Sequence, residues 1–360
     1  MKSRTYKYGA EAPHGGTGLL AIDESKELEC PRESHLYPLQ FEPIFQYRLW
    51  GGRRLADLFS APLPAEGPIG EAWILSDRDD HSSLVASGPL KGQTIAQLLK
   101  HSREEMLGRL AKRFRRFPLL LKFLDVREML SVQVHPSDAR TDLLPVGETG
   151  KTEAWVVLDA GTKSRICAGL KPGTNADNLR EALKNKTIAD DLAFFTPRPG
   201  DGVFIPAGTV HSLGGGLVVF EVQENSDVTF RLYDWDHIDA KTGRPRPLQV
   251  DHALASINFA DGAAGLVAPV VEATAPVQRE RLFACEHFWL WRSRGHTPFT
   301  VGAAGVPRVL VCIQGSGQVE HGSATYAAGK GDVLLLPAVV GACVFRPSGE
   351  VNLLEIGIPE

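Results

Sequence analysis

The sequence predicts a mainly β protein of sandwich or barrel type, with helical insertions and an internally repeated unit. Three observations carry this. From Leu39 onward, short apolar runs alternate with Gly, Pro and Asp punctuation at roughly 8–12-residue intervals, the rhythm of antiparallel β structure. Two longer stretches break that rhythm with apolar residues at helical spacing. One octapeptide recurs, in register, 131 residues later.

The expected strands, in order, are Ser82–Ala86, Leu130–Val134, Ala154–Leu158, Gly202–Ile205, Leu217–Val222, Val309–Ile313 and Val333–Leu336. The first helical insertion lies within 93–116. Over Thr94–Phe114 it spaces Ile95, Leu98, Leu99, Met106, Leu107 and Leu110 on one face, and its basic end, Lys112–Arg116, suits a helix dipole. The second, 174–192, opens with Thr174 and Asp177 in a cap-like pattern and aligns Leu179, Ala182 and Leu183. Residues 1–36 show no sustained period and read as a flexible extension.

Composition narrows the function classes. At about 150 residues per domain, 360 residues allow two to three domains. With 43% hydrophobic and 23% charged residues, the chain is neither disordered, collagenous nor coiled coil. A net charge of −4 argues against a protein devoted to nucleic acid or to anionic membranes, though it leaves room for a local basic pocket. No run approaches the roughly 18–20 apolar residues of a membrane helix, and the most apolar, Pro118–Leu124, contains Lys122. Positive charges at Met1–Ala10 are not followed by an apolar segment, so no signal peptide is expected. Five cysteines, odd in number and widely spaced, fit reduced thiols in a cytoplasmic enzyme, not a disulfide framework or thiolate zinc site.

The repeat sets the organisation. Gly200-Asp-Gly-Val-Phe-Ile-Pro206-Ala207 returns as Gly331-Asp-Val-Leu-Leu-Leu-Pro337-Ala338, each a Gly-Asp turn feeding a short strand that a proline ends. A further strand and turn precede each copy, at Trp155–Gly161 and Val309–Gly317. This order resembles the cupin family, and twice over, which implies two cupin (double-stranded β-helix, jelly-roll) barrels with helical insertions. On that reading 37–258 is the catalytic domain and 259–360 a second, degenerate one. Eleven residues after Gly200 stands His211, where cupins commonly place a metal ligand; the equivalent position of the second copy is Ala342.

Strand alternation picks out the chemistry. In Ser131-Val-Gln133-Val-His135, the Ser, Gln and His side chains share one face, and three polar groups on a dry unpaired face are costly. An ordinary solvent-facing edge is the alternative to a ligand-bearing lumen. Glu153 opens the next strand, with Trp155 and Val157 on its face. Alone, Glu153 reads as solvated and His211 as hydrogen-bonded. Together with Gln133 and His135 they offer two imidazoles, a carboxylate and an amide oxygen, a set that suits zinc or another first-row divalent ion and leaves a position open.

Longer motifs resemble type I mannose-6-phosphate isomerase. They are Lys122-Phe-Leu-Asp, Leu130-Ser-Val-Gln-Val-His-Pro136, Gly150-Lys-Thr-Glu153-Ala-Trp155, Pro206-Ala-Gly-Thr-Val-His211 and Glu221-Val-Gln-Glu-Asn-Ser-Asp227-Val-Thr-Phe-Arg231-Leu-Tyr-Asp-Trp-Asp236. The likeness runs from about Leu39 to Phe259, and weakly to the end, at the spacing of the shorter bacterial members. It implies a zinc-dependent aldose–ketose isomerase interconverting mannose 6-phosphate and fructose 6-phosphate through an enediolate. One zinc per chain would be held by Gln133, His135, Glu153 and His211, with Gln133 the softer member. The resemblance puts the catalytic arginine at Arg231; Asp227, Thr229 and Arg231 share a face, and the alternative is a surface ion pair with Asp234 or Asp236.

Lys151, on the face of Glu153, is a candidate acid–base or phosphate-binding group, with a pKa expected to be depressed by burial and positive neighbours. Lys122, Ser131 and Arg231 are candidates for the substrate phosphate, arginine supplying a bidentate fork. For both lysines a solvated position beside a strand is the alternative. The implied partner is a small sugar phosphate, with no nucleic acid and no membrane, in a monomer or homodimer. The sequence departs from the family pattern at His237, where arginine is frequent, at Glu224 and Asn225, where Gln and Ser are, and in residues 1–36. His237, His252, His287 and His321 read as surface or structural, and Trp289 and Trp291 as packing residues. Two other functions compete. A non-catalytic sugar-phosphate-binding cupin would be favoured by an incomplete ligand set, and an iron cupin dioxygenase would not need the cations.

Overall fold

Side-chain alternation along the Leu119–Val126 strand sets the architecture. Leu119, Leu121 and Phe123 point into the main apolar core, while Lys122 and Leu124 point the other way, toward a polar cavity. The computed structural model describes residues 35–59 and 61–360. Most of the expected 1–36 extension therefore lies outside the described residues, as does Cys30, but Leu36 is buried in the core.

Four larger sheets organise the described chain. A six-stranded sheet runs in the order Gly202–Ile205, Glu153–Ala160, Leu217–Glu224, Leu119–Val126, Ile44–Gly52, Ile69–Leu75, the last also pairing with Leu119–Val126. A five-stranded sheet orders Leu192–Phe195, Arg165–Leu170, His211–Gly214, Val132–Val134 and Phe230–Tyr233. Beyond these come a seven-stranded sheet, from Leu39–Gln40 through Val333–Leu336 to Val270–Ala273, and a four-stranded one, from Phe299–Val301 to Ala324–Gly329. The fold is mainly β with few helices, as predicted. The main core spans Phe123, Phe220 and Val156 of the six-stranded sheet together with Phe283, Val309 and Leu354 of the seven-stranded one.

Register aligns the residues that matter. Trp73, Lys122, Glu221 and Trp155 are direct cross-strand partners, and Glu153 pairs with Gln223 one pleat further along. In the five-stranded sheet His211, Gln133 and Arg231 are direct partners on three adjacent strands. Both copies of the repeat form as predicted, at Gly202–Ile205 and Val333–Leu336. Around the second copy, Phe299, Val301, Leu310, Cys312 and Phe345 fill the interior with apolar side chains, in keeping with Ala342 where the first copy has His211.

Several boundaries differ from expectation. Ser82–Ala86 forms only the two-residue strand His81–Ser82 followed by isolated bridges at Leu84 and Val85. The first insertion is helical over Ile95–Leu107, capped by Thr94 in a capping box with Gln97. Gly108 ends it with φ +55°, and a Cβ there would stand 2.2 Å from the Gly305 carbonyl oxygen. Lys112–Arg116 therefore lies past the α-helix and does not serve its dipole; Arg116 pairs instead with Asp79. In the second insertion the cap is Asn175, not Thr174. Its side chain accepts from the Asp177 and Asn178 N–H groups ahead of helix Ala176–Asn185. Cys167, Cys285, Cys312 and Cys343 are free thiols, and no helix among the described residues is long and apolar enough to cross a membrane.

Candidate active site

Between the five- and six-stranded sheets lies a cavity of about 420 Å³ whose lining is dominated by charged and polar side chains. His135, Glu153 and His211 converge beside it, each 1% exposed. The two imidazole Nε2 atoms stand 3.4 and 3.2 Å from the two oxygens of Glu153. Both rings are oriented from behind: His135 Nδ1 meets the Val228 carbonyl at 2.8 Å and His211 Nδ1 meets that of Thr209 at 2.9 Å. Protonated Nδ1 atoms donating to carbonyls leave Nε2 as the free lone pair, the arrangement of metal-binding histidines. Burial and the nearby Lys151 ammonium push His135 down to about 3, and burial pushes His211 down too, so both rings are neutral donors.

Glu153 Oε2 is buried and faces the Lys151 ammonium at 2.8 Å and His135 Nε2 at 3.4 Å. Burial alone would raise its carboxyl, but Lys151 and the two imidazoles hold it well below the usual carboxylate range. Gln133 Nε2 lies 3.1 Å from His211 Nε2, and Ser131 Oγ donates to Gln133 Oε1 at 3.3 Å. The four residues read from the sequence as ligands thus come together, with two neutral imidazoles, an ionised carboxylate and an amide. That donor set fits a zinc-like divalent ion.

Lys151 Nζ sits 2.8 Å from Glu153 Oε2 and 3.1 Å from His135 Nε2. Its pKa is raised, not depressed as expected. Burial works downward, but Glu153 and Glu221 outweigh it. The nearest charge to its ammonium is the Glu153 carboxylate, two residues on along the same face.

Lys122 is 3% exposed, with Nζ 3.6 Å from Glu221 Oε1, 4.0 Å from Glu71 Oε2 and over the Trp73 ring. Two carboxylates therefore share its charge. Arg231 differs: its Nη1 donates to the Pro247 carbonyl at 3.0 Å, and among the described residues its buried Nε finds no partner and no carboxylate pairs with it. The surface pair with Asp234 or Asp236 does not form, because Arg246 holds Asp234 through two bonds and Lys186 holds Asp236. Burial, then Arg246, lower the Arg231 pKa, as for a cation facing other cations.

Sequence reasoning missed part of the lining. Arg48 grips Glu71 with Nε and Nη2 at 2.9 and 3.0 Å, and Trp73 Nε1 donates to the same carboxylate at 2.7 Å. Against the pull of burial, Arg48 and Lys122 hold Glu71 down at about 2. Glu221, quoted only within a motif, accepts from Trp155 Nε1 at 3.2 Å and leaves Oε1 buried without a hydrogen bond. Burial and Glu153 push it up to about 7. A signal for Glu71 was present: Glu71-Ala-Trp73 repeats Glu153-Ala-Trp155, in each of which the indole lies one pleat from the carboxylate on the same face. Trp291 is packed between Arg279 and Arg308, away from the cavity, and His252 lies against Phe230.

A mainly β fold holding an oriented His, Glu, His set beside a cavity lined by cations and carboxylates defines the class, a β-sheet enzyme with a candidate metal site. Residues 38–152 match the family model of the phosphomannose isomerase type I catalytic domain. The chain is 34% identical over 315 residues to the mannose-6-phosphate isomerase ManA of Bacillus subtilis (strain 168), covering 84% of this chain and 94% of that one. It is 31% identical over 321 residues to the mannose-6-phosphate isomerase of Streptococcus mutans, covering 87% and 96%. The crystal structure of the mannose 6-phosphate isomerase from Bacillus subtilis superposes with a TM-score of 0.82 at 30% identity, over 90% of this chain and all of that one. The chain belongs to the type I mannose-6-phosphate isomerase family and is an enzyme of it.

Proposed function

We propose that the chain interconverts mannose 6-phosphate and fructose 6-phosphate, with one zinc ion held by His135, Glu153 and His211 and assisted by Gln133. The observation that carries this reading is Arg231, a half-buried arginine with no carboxylate partner among the described residues, lining the same cavity as Glu153, the carboxylate between His135 and His211. A dianionic phosphate supplies the charge that Arg231 lacks, and the sugar then extends from the arginine strand toward the histidines. Ser131, on the same pleated face, offers a hydroxyl to the substrate, while Lys122, already shared by Glu71 and Glu221, serves to fix those carboxylates.

A divalent ion in this set supplies Lewis-acid polarisation of the sugar oxygens when bound. The chain's own groups handle the protons. Glu221, pushed up to about 7 by burial and by Glu153, is the cavity carboxyl that changes protonation near neutrality, and we assign it the proton exchanged between C2 and C1. Lys151 keeps its proton and donates to an oxygen of the enediolate. The buried setting strengthens both contacts. The test is formation of fructose 6-phosphate from mannose 6-phosphate by purified protein, before and after chelation and with zinc restored. Turnover that survives complete metal removal refutes the metal role; no turnover at full zinc occupancy refutes the isomerase.

A further inference from the structure

A second group of metal-ligating side chains lies outside the cavity, assembled from three separated stretches of chain. Glu224 ends the Leu217–Glu224 strand, Asp138 follows the Val132–Val134 strand, and His287 lies in the turn between Gln278–Ala284 and Trp289–Gly295. One ligand atom from each falls within 4.8 Å of the other two. Glu224 Oε2 is 3.2 Å from His287 Nδ1. Tetrahedral zinc with bonds of about 2.0–2.2 Å sets its donors roughly 3.3 Å apart, so this pair is already at ligand spacing and Asp138, which is exposed, needs only a small closing movement.

The charge balance favours a cation. Glu224 is 6% exposed, and burial pushes its carboxyl up to about 7, with Asp138 adding to the rise. His287 is pushed down by burial and brings no compensating charge. Each carboxylate has one oxygen committed elsewhere, in an instructive way. Glu224 Oε1 accepts from the Thr152 N–H at 2.7 Å, and Asp138 Oδ1 accepts from the Gly150 N–H at 2.7 Å. Both therefore grip the short segment that delivers Lys151 and Glu153 to the cavity.

We propose that Asp138, Glu224 and His287 form a second divalent-cation site, one that takes zinc or a similar first-row ion and braces the 150–152 segment from behind. Two carboxylates and one imidazole, with solvent free to complete the shell on the Asp138 side, match the ligand preferences of such an ion. The site goes beyond the isomerase reading and does not depend on it. The experiment counts ions: full-length protein is stripped with chelator, equilibrated at micromolar free zinc, and its metal measured by mass spectrometry. The native chain should hold two zinc ions, Glu224→Gln and His287→Ala one each, His211→Ala one, and His211→Ala combined with His287→Ala none. A His211→Ala chain that holds no ion overturns the proposal, as does retention of two ions by His287→Ala. That residue lies in a partly exposed turn, so its replacement leaves folding measurable by circular dichroism should Glu224→Gln fail to fold.

Discussion

Replacing Glu71 with Gln tests whether the cation-rich wall of the cavity is held together by this one carboxylate. Glu71 receives two guanidinium bonds from Arg48 and an indole bond from Trp73, and faces Lys122 at 4.0 Å. Its pKa falls from an ordinary 4.5 to about 2, which at about 1.4 kcal/mol per pH unit corresponds to about 3 kcal/mol of preference for the ionised form in the fold. Removing one partner of a buried pair costs about 3–5 kcal/mol, and the partial exposure of Arg48 favours the lower end. A carboxyl whose folded pKa is depressed contributes its stability in full above the unfolded value and loses it as pH falls through the folded one. The difference between native and Glu71→Gln should therefore be about 3 kcal/mol at pH 7 and roughly half that at pH 3. Urea unfolding of both proteins across that range measures it, and titration of the other groups cancels in the difference. A gap below about 1 kcal/mol at pH 7, or one that does not shrink toward pH 3, refutes the reasoning.

Two further outcomes follow from the cavity. Arg231→Ala should keep its metal and lose about 10²–10³-fold in kcat/KM, the usual scale for deleting one preorganised contact to developing or resident anionic charge; a fully active variant removes Arg231 from the site. His211→Ala should lose the cavity metal and turnover together, and a variant that still binds zinc at native affinity shows that the imidazole is not a ligand.

Much of this was legible from local pattern. The Gly-Asp-strand-Pro repeat marked two strands to the residue, because turn chemistry and proline act on their immediate neighbours. Alternation placed Ser131, Gln133 and His135 on one face, as found. What stayed hidden depends on pairing across long stretches of chain. Glu71 gains its meaning only because its strand lies beside Leu119–Val126, some 50 residues away, and Arg231 only because Arg246 removes Asp234. The Asn175 cap was misread as Thr174, a matter of one residue that only backbone geometry decides. The sign of the Lys151 shift was misjudged although its cause was local: Glu153, two residues on along the same face, is the closest charge it meets.

One short strand of the cavity carries the largest consequence. Val132–Val134 is three residues long, yet through Gln133 it joins His211 on one side to Arg231 on the other. The separation between the histidine and the arginine is therefore two interstrand spacings, about 10 Å in all, set by peptide hydrogen bonds and not by side-chain reach or loop length. On the proposed function, this backbone spacing is the ruler that separates the phosphate anchor from the metal ligands. Loops around the cavity can lengthen or drift without altering the distance from anion anchor to metal donors, whereas one residue gained or lost in this strand would turn Gln133 and His135 to the opposite face and erase the scale.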